Sequence, residues 1–148
     1  MTVRNVAALA LFVASSAGAQ GLDTATPIPG SWTYAPESDG SEAVFTNSAG
    51  SPQLWVHCTR TTRRVTLARP ATVAAPFLNV WTSSLTRSVG SAFNPATGRL
   101  TIDLANYDPL LDAIVSSHGR VGFTVGTQPP LVVPPWAEFA RVIEDCRV

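Results

Sequence analysis

The chain of 148 residues contains no lysine, and all ten of its basic residues are arginine. A Ser-x-x-Lys hydrolase is thereby excluded, and neither a Gly-x-Ser-x-Gly elbow nor a phosphate-cradling glycine loop occurs. Cysteine is limited to Cys58 and Cys146 with no Cys-x-x-Cys, which removes the usual dithiol redox pair. His57 and His118 are the only histidines and neither sits in a His-x-x-x-His or Cys/His cluster, so no metal site and no cofactor is expected. Beyond the first residues no apolar run approaches the roughly 20 residues that a membrane-spanning helix needs. Between Ala43 and Ile102 acidic residues are missing altogether.

The N-terminus has the three parts of a secretory signal: Arg4 near the start, an apolar run from Val6 to Ala14, and the small residues Ser15 to Ala19 ending in Ala17-Gly18-Ala19. We expect cleavage after Ala19, with residues 1–19 as signal peptide, 20–29 as a flexible, proline-punctuated leader, and 30–148 as a single β-rich domain. The expected location is periplasmic or secreted. Removal of Arg4 leaves nine arginines against ten acids, a net charge of −1, and the lack of lysine fits a GC-rich bacterial genome. In an oxidising compartment an even pair of cysteines is bridged, so a Cys58–Cys146 disulfide is expected. It would close a loop of 88 residues, a constraint on the unfolded chain of about 4.5 kcal/mol.

Alternation with period two marks the strands. Leu54, Val56 and Cys58 share one face and Trp55 and His57 the other. Val65 and Leu67 continue the pattern, Phe77 to Thr82 reads as a strand, and Leu100, Ile102 and Leu104 alternate with Arg99, Thr101 and Asp103. Val121, Phe123 and Val125 repeat it. Asn47-Ser48-Ala49-Gly50 and Asn94-Pro95-Ala96-Thr97-Gly98 supply turn residues. Asp108-Pro109 is a helix start, with Asp as cap and Pro in the first turn, predicting a short helix near 108–117. Pro134-Pro135 opens a C-terminal helix near 135–146, in which Trp136, Phe139, Ala140, Ile143 and Cys146 fall on one inward face. Seven or eight short strands with two helices indicate a β-dominated α+β fold, either an antiparallel β-sandwich or a strongly twisted sheet. Trp81 and Trp136 are expected in the core, and Trp55 partly exposed.

Catalytic constellations are weak. Ser116 and Ser117 beside His118 offer the parts of a hydrolase, but neighbours in sequence are not a triad, and the segment reads as a helix end and turn. Asp103 is explained as a solvent-facing strand residue and Asp108 as a cap, while Glu144 and Asp145 at a helix C-terminus call for arginine partners, Arg141 or Arg147 among them. No catalytic residue is assigned. Charge segregation carries more content: Arg60, Arg63, Arg64, Arg69, Arg87 and Arg99 give the acid-free middle a charge of +6 between acidic flanks. These arginines either converge on one face or pair with the flanks.

The order of elements runs from an exported N-terminus through Trp32, a strand ending in Cys58 and alternating strands. It ends with Pro135-Trp136 leading through Arg141-Val142-Ile143-Glu144-Asp145-Cys146-Arg147. In this the chain resembles small uncharacterised exported proteins of alphaproteobacteria and, more remotely, is similar in layout to invasion-associated locus B proteins. That resemblance covers most of the chain after the signal and implies a non-catalytic envelope or host-contact role; no functional residue is carried over from it. The expectation is an exported binding protein that engages an envelope or host protein, or an anionic envelope component, through Trp55, Arg60, Arg63, Arg64 and Arg69. A small Ser/His hydrolase and a purely structural envelope protein are the alternatives. Nucleic acid is not an expected partner at this net charge.

Overall fold

The computed structural model describes residues 21–148; the expected signal peptide lies outside the described residues. Ten strands and two helices follow in chain order: β1 (Gly30–Glu37), β2 (Gly40–Asn47), β3 (Pro52–Thr59), β4 (Arg64–Pro70), β5 (Phe77–Trp81), β6 (Thr86–Gly90), β7 (Ala92–Asn94), β8 (Arg99–Ala105), α1 (Pro109–Val115), β9 (Val121–Thr124), β10 (Leu131–Val133) and α2 (Ala137–Asp145). They form a six-stranded sheet in the order β1-β2-β3-β4-β8-β7 and a four-stranded sheet in the order β10-β9-β5-β6. Every pairing is antiparallel. The fold is thus the β-dominated, sandwich-like α+β arrangement expected. Strands β7 and β10 have three residues each, too few to show a period, which is why the expected strand number was lower.

Local chemistry sets the turns. Asn47 Oδ1 accepts from the backbone N–H groups of Ala49 and Ser51 while Gly50 takes φ +80°, which closes the β2–β3 connection. At the β1–β2 hairpin Gly40 lies so close to Cys58 that a Cβ there would collide with the Cys58 carbonyl. Asp108 caps α1 by accepting from Leu110 N–H at 2.9 Å, with Pro109 in the first turn.

The inner faces of the sheets supply one core: Phe45, Leu54, Val56, Leu67, Leu100 and Ile102 from the large sheet pack with Leu78, Val80 and Phe123 from the small one. Helix α2 covers the β1, β2 and β3 part of the large sheet with Phe139, Val142 and Ile143. Burying each such side chain contributes roughly 1.5–3 kcal/mol. Trp32 is the aromatic that joins this layer, edge-to-face with Phe45 and Phe139 at centroid distances of 5.4 and 5.7 Å, its indole N–H donating to the Pro134 carbonyl at 2.8 Å. The Cys58–Cys146 disulfide then joins β3 to the residue that ends α2.

Two expected core tryptophans are placed otherwise. Trp136 is the N-cap of α2, with extended backbone at φ −88° and ψ 177°, so helical periodicity does not apply to it and it is 52% exposed. Trp81 is half-buried. In the segment read as a flexible leader, Leu22 is buried against Gly122, where a Cβ would come within 3.2 Å of the leucine. Ile28 N–H donates to the Val132 carbonyl at 2.9 Å and Arg120 Nη1 to the Asp23 carbonyl at 2.5 Å. Residues 22–28 are therefore docked on the small sheet.

Candidate functional site

The outward face of the large sheet is ordered by register. Glu42, His57, Thr66 and Asp103 stand opposite one another across β2, β3, β4 and β8, and the neighbouring row runs Val44, Trp55, Ala68, Thr101. Arg99 pairs with Pro70 and with Asn94 one step further along β8. Because Ala68 is small, the face sinks there into a hollow of about 270 Å³ lined by Glu42, Trp55, His57, Thr66, Asn94 and Arg99 among others.

Arg99 lies over the Trp55 ring, its guanidinium carbon 3.6 Å from the ring centroid. A cation held flat on an indole is stabilised by the ring quadrupole, by about 0.5–2 kcal/mol depending on its exposure. Among the described residues Arg99 forms no ion pair and its guanidinium donates no hydrogen bond to protein. Its planar fork is oriented yet unspent. At the other side of the hollow His57 sits between two acids, Nε2 3.1 Å from Asp39 Oδ2 and Nδ1 3.7 Å from Glu42 Oε2. One ring nitrogen faces each carboxylate, so the three groups do not converge on one point. No group of three or more His, Cys, Asp or Glu among the described residues is placed to hold a metal ion.

The arginines expected to act together are separated. Arg64 is bound to Asp103, Nε to Oδ2 at 2.7 Å, and Thr66 completes the pair with a hydrogen bond to Oδ1. Arg87 is bound to Asp108 at 2.9 Å; burial alone would raise the Asp108 pKa, but hydrogen bonds from Arg87 and from Leu110 N–H and the charge of Arg87 hold it below the ordinary carboxylate value. Arg60 and Arg63 are exposed on the β3–β4 loop without an ion pair among the described residues. That loop lies at the end of β4 remote from the Pro70–Arg99 pair.

Arg69 does not belong to the surface. Val65, Leu67 and Arg69 share the inward face of β4, and Arg69 is only 7% exposed, donating through Nη1 to the Phe123 carbonyl at 2.7 Å and through Nη2 to the Pro129 carbonyl at 3.4 Å. Period-two alternation already placed it beside the two aliphatic residues. The five expected contact residues thus do not gather on one face: Trp55 is half-buried, Arg64 is paired with Asp103, Arg69 is internal, and Arg60 and Arg63 lie on the β3–β4 loop. Arg99 is the arginine that reaches Trp55, and only the β4–β8 pairing, formed across some 30 residues of chain, reveals it.

The serine hydroxyls of the serine–histidine segment are engaged by backbone groups. Ser117 donates to the Arg120 carbonyl at 2.5 Å and accepts from Ser83 N–H at 3.0 Å, and Ser116 donates to the Asp112 carbonyl at 2.7 Å. Among the described residues no hydrogen bond joins the His118 ring to a hydroxyl or a carboxylate, the minimum a nucleophile–base pair requires. Glu144 meets Arg147 at 3.9 Å, and Asp145 accepts from the Tyr34 hydroxyl at 2.7 Å while Arg141 lies over the Tyr34 ring. The two Tyr34 contacts latch α2 to β1. Comparison with protein-family models, curated proteins and solved structures returns no significant match for the chain.

Proposed function

We propose that the protein is an exported, non-catalytic binding domain of the bacterial envelope, periplasmic or secreted, that engages an acidic protein partner through the Arg99–Trp55 platform. The observation that carries this reading is the guanidinium laid 3.6 Å over Trp55 with no carboxylate partner among the described residues. A carboxylate from a partner would meet a preoriented two-pronged donor, the geometry that arginine offers and lysine does not. Thr66, Thr101 and Asn94 add neutral hydrogen-bonding groups around the hollow, and the Asp39-His57-Glu42 group on its far side repels an acid bound in the reverse sense. Export is supported by the signal-like N-terminus and the Cys58–Cys146 disulfide; no helix among the described residues is long and apolar enough to cross a membrane.

Titration of the isotope-labelled, oxidised protein with a glutamate-rich peptide, and with its glutamine counterpart, tests the reading by amide and indole shifts. Saturable shifts at Trp55 and along β8 are expected for the acidic peptide only. Arg99→Ala should weaken that binding about tenfold or more, as loss of a charge-assisted hydrogen-bonded pair does, while Arg64→Ala should change it little. Equal binding by the Arg99 variant, or shifts confined to the Arg60–Arg63 loop, would overturn it.

A further inference from the structure

A second cavity, of about 360 Å³, opens where the end of β4 meets the connection between β9 and β10. Ile28, Pro70, Ala71, Pro129, Pro130 and Leu131 make its apolar wall, and among the described residues Arg69 is the only charged one lining it. Arginine carries five N–H donors in a fixed fork. Two of the Arg69 nitrogens reach backbone carbonyls, but Nε is buried without an acceptor among the described residues, and so is the side-chain nitrogen of Gln128, which lines the same cavity. A buried cation facing no carboxylate is expensive, and orphan donors beside it add to the cost. Burial pushes the Arg69 pKa below its ordinary value, the direction expected of a charge held without a counter-ion.

We infer that this cavity is a binding site for a small organic monocarboxylate with an apolar body, its carboxylate received by Arg69 and Gln128 and its body by the proline and aliphatic wall. One uncompensated positive charge calls for a single negative one, and the volume lies at the lower end of small-molecule sites, roughly 300–1,000 Å³. The cavity is open to solvent but the two orphan nitrogens lie beneath its wall, so a carboxylate reaches them as the turn from Gly126 to Pro130 yields. That turn is attached to Arg69 only by the long 3.4 Å contact at Pro129. The site is on the interior side of β4 and is independent of the Arg99–Trp55 platform.

Calorimetric titration and thermal unfolding of the oxidised protein with hexanoate and benzoate, with hexanamide and benzamide as neutral counterparts and with inorganic phosphate, test the assignment. At least one carboxylate should bind saturably, raise the unfolding midpoint, and bind about tenfold or more tightly than its amide or than phosphate. Arg69→Met should abolish this binding, Gln128→Leu weaken it several-fold, and Arg99→Ala leave it intact. Should Arg69→Met fail to fold, Gln128→Leu on the partly exposed turn decides the matter. Absence of carboxylate binding, equal binding of the amide or of phosphate, or unchanged affinity in Gln128→Leu would overturn the inference.

Discussion

The inner face of the β3–β4 pair has two ends that share the same backbone register but close in opposite ways. At one, Cys58 opposite Val65, the chain terminus is fastened: the disulfide joins β3 to the end of α2, Asn106 Nδ2 donates to the Cys146 carbonyl at 3.0 Å, and Arg147 binds both the Asn106 carbonyl at 3.0 Å and Asp112 at 2.8 Å. At the other, Arg69 brings a cation into the interior and leaves Nε without a partner among the described residues beside a cavity. The fastened end has one orphan too, the Ser41 hydroxyl, which lies near Asp145 but falls short of hydrogen-bond geometry. It is neutral, and a neutral hydroxyl costs far less to bury than a guanidinium. What separates structural closure from a candidate site is thus the charge and clustering of the unsatisfied groups rather than their mere presence.

The largest expected effect lies at the fastened end. Replacing both cysteines by serine frees a loop spanning 88 positions, and the chain-entropy relation puts the loss near 4.5 kcal/mol. Urea unfolding of Cys58→Ser/Cys146→Ser against the oxidised protein measures it. A loss below about 1 kcal/mol would mean that the packing of α2 on β1 and β2, and not the bridge, fastens this end, because the entropic constraint would then be absorbed by residual structure.

How far this contrast could be read in advance differs between its ends. The inward direction of Cys58 and Cys146 followed from alternation along β3 and from the helical spacing of α2, so the bridge was legible without knowing which strands pair. Arg69 was equally legible by the same alternation, two positions beyond Leu67, but grouping it with nearby arginines by charge obscured its direction. The Arg99–Trp55 contact was not legible, because it depends on β8 returning beside β4 across a non-local pairing that no short-range signal encodes. The exposure of Trp136 was not legible for a different reason: it stands one residue before the helix, where helical spacing does not set its direction.

Acid should loosen the fastened end before the other. Burial alone would raise the Asp145 pKa, but the Tyr34 hydrogen bond and the nearby Arg141 and Arg60 outweigh it, so the carboxylate titrates below its ordinary value. A depressed folded-state pKa means stability that is present above the unfolded value, about 3.9, and lost as pH falls through the folded one. Asp145→Asn should remove about 1 kcal/mol at pH 7, a charge-assisted bond discounted for its partial exposure. The variant should lose less than the parent between pH 5 and pH 2, a window of about three units around the unfolded value. Urea midpoints across that range, with amide exchange along α2, measure both effects; an identical acid loss in the variant would assign it to Asp108 instead.

The smallest effect concerns the loop between the two strands. Arg63 has φ +53°, the only positive value at a non-glycine position among the described residues, and the turn needs it: Arg63 N–H donates to the Arg60 carbonyl at 3.2 Å while its own carbonyl accepts from Asn106 N–H at 3.1 Å. A side chain in this left-handed region costs roughly 1–2 kcal/mol, and glycine, free of that cost, gives back about 0.5–1 kcal/mol through the larger entropy of its unfolded state. Arg63→Gly should therefore stabilise the protein by about 0.5 kcal/mol, seen as a small rise in the urea midpoint with unchanged slope. A fall in the midpoint would show that the arginine side chain contributes more to the folded state than its backbone takes away, and would make Arg63 part of the fastening at this end.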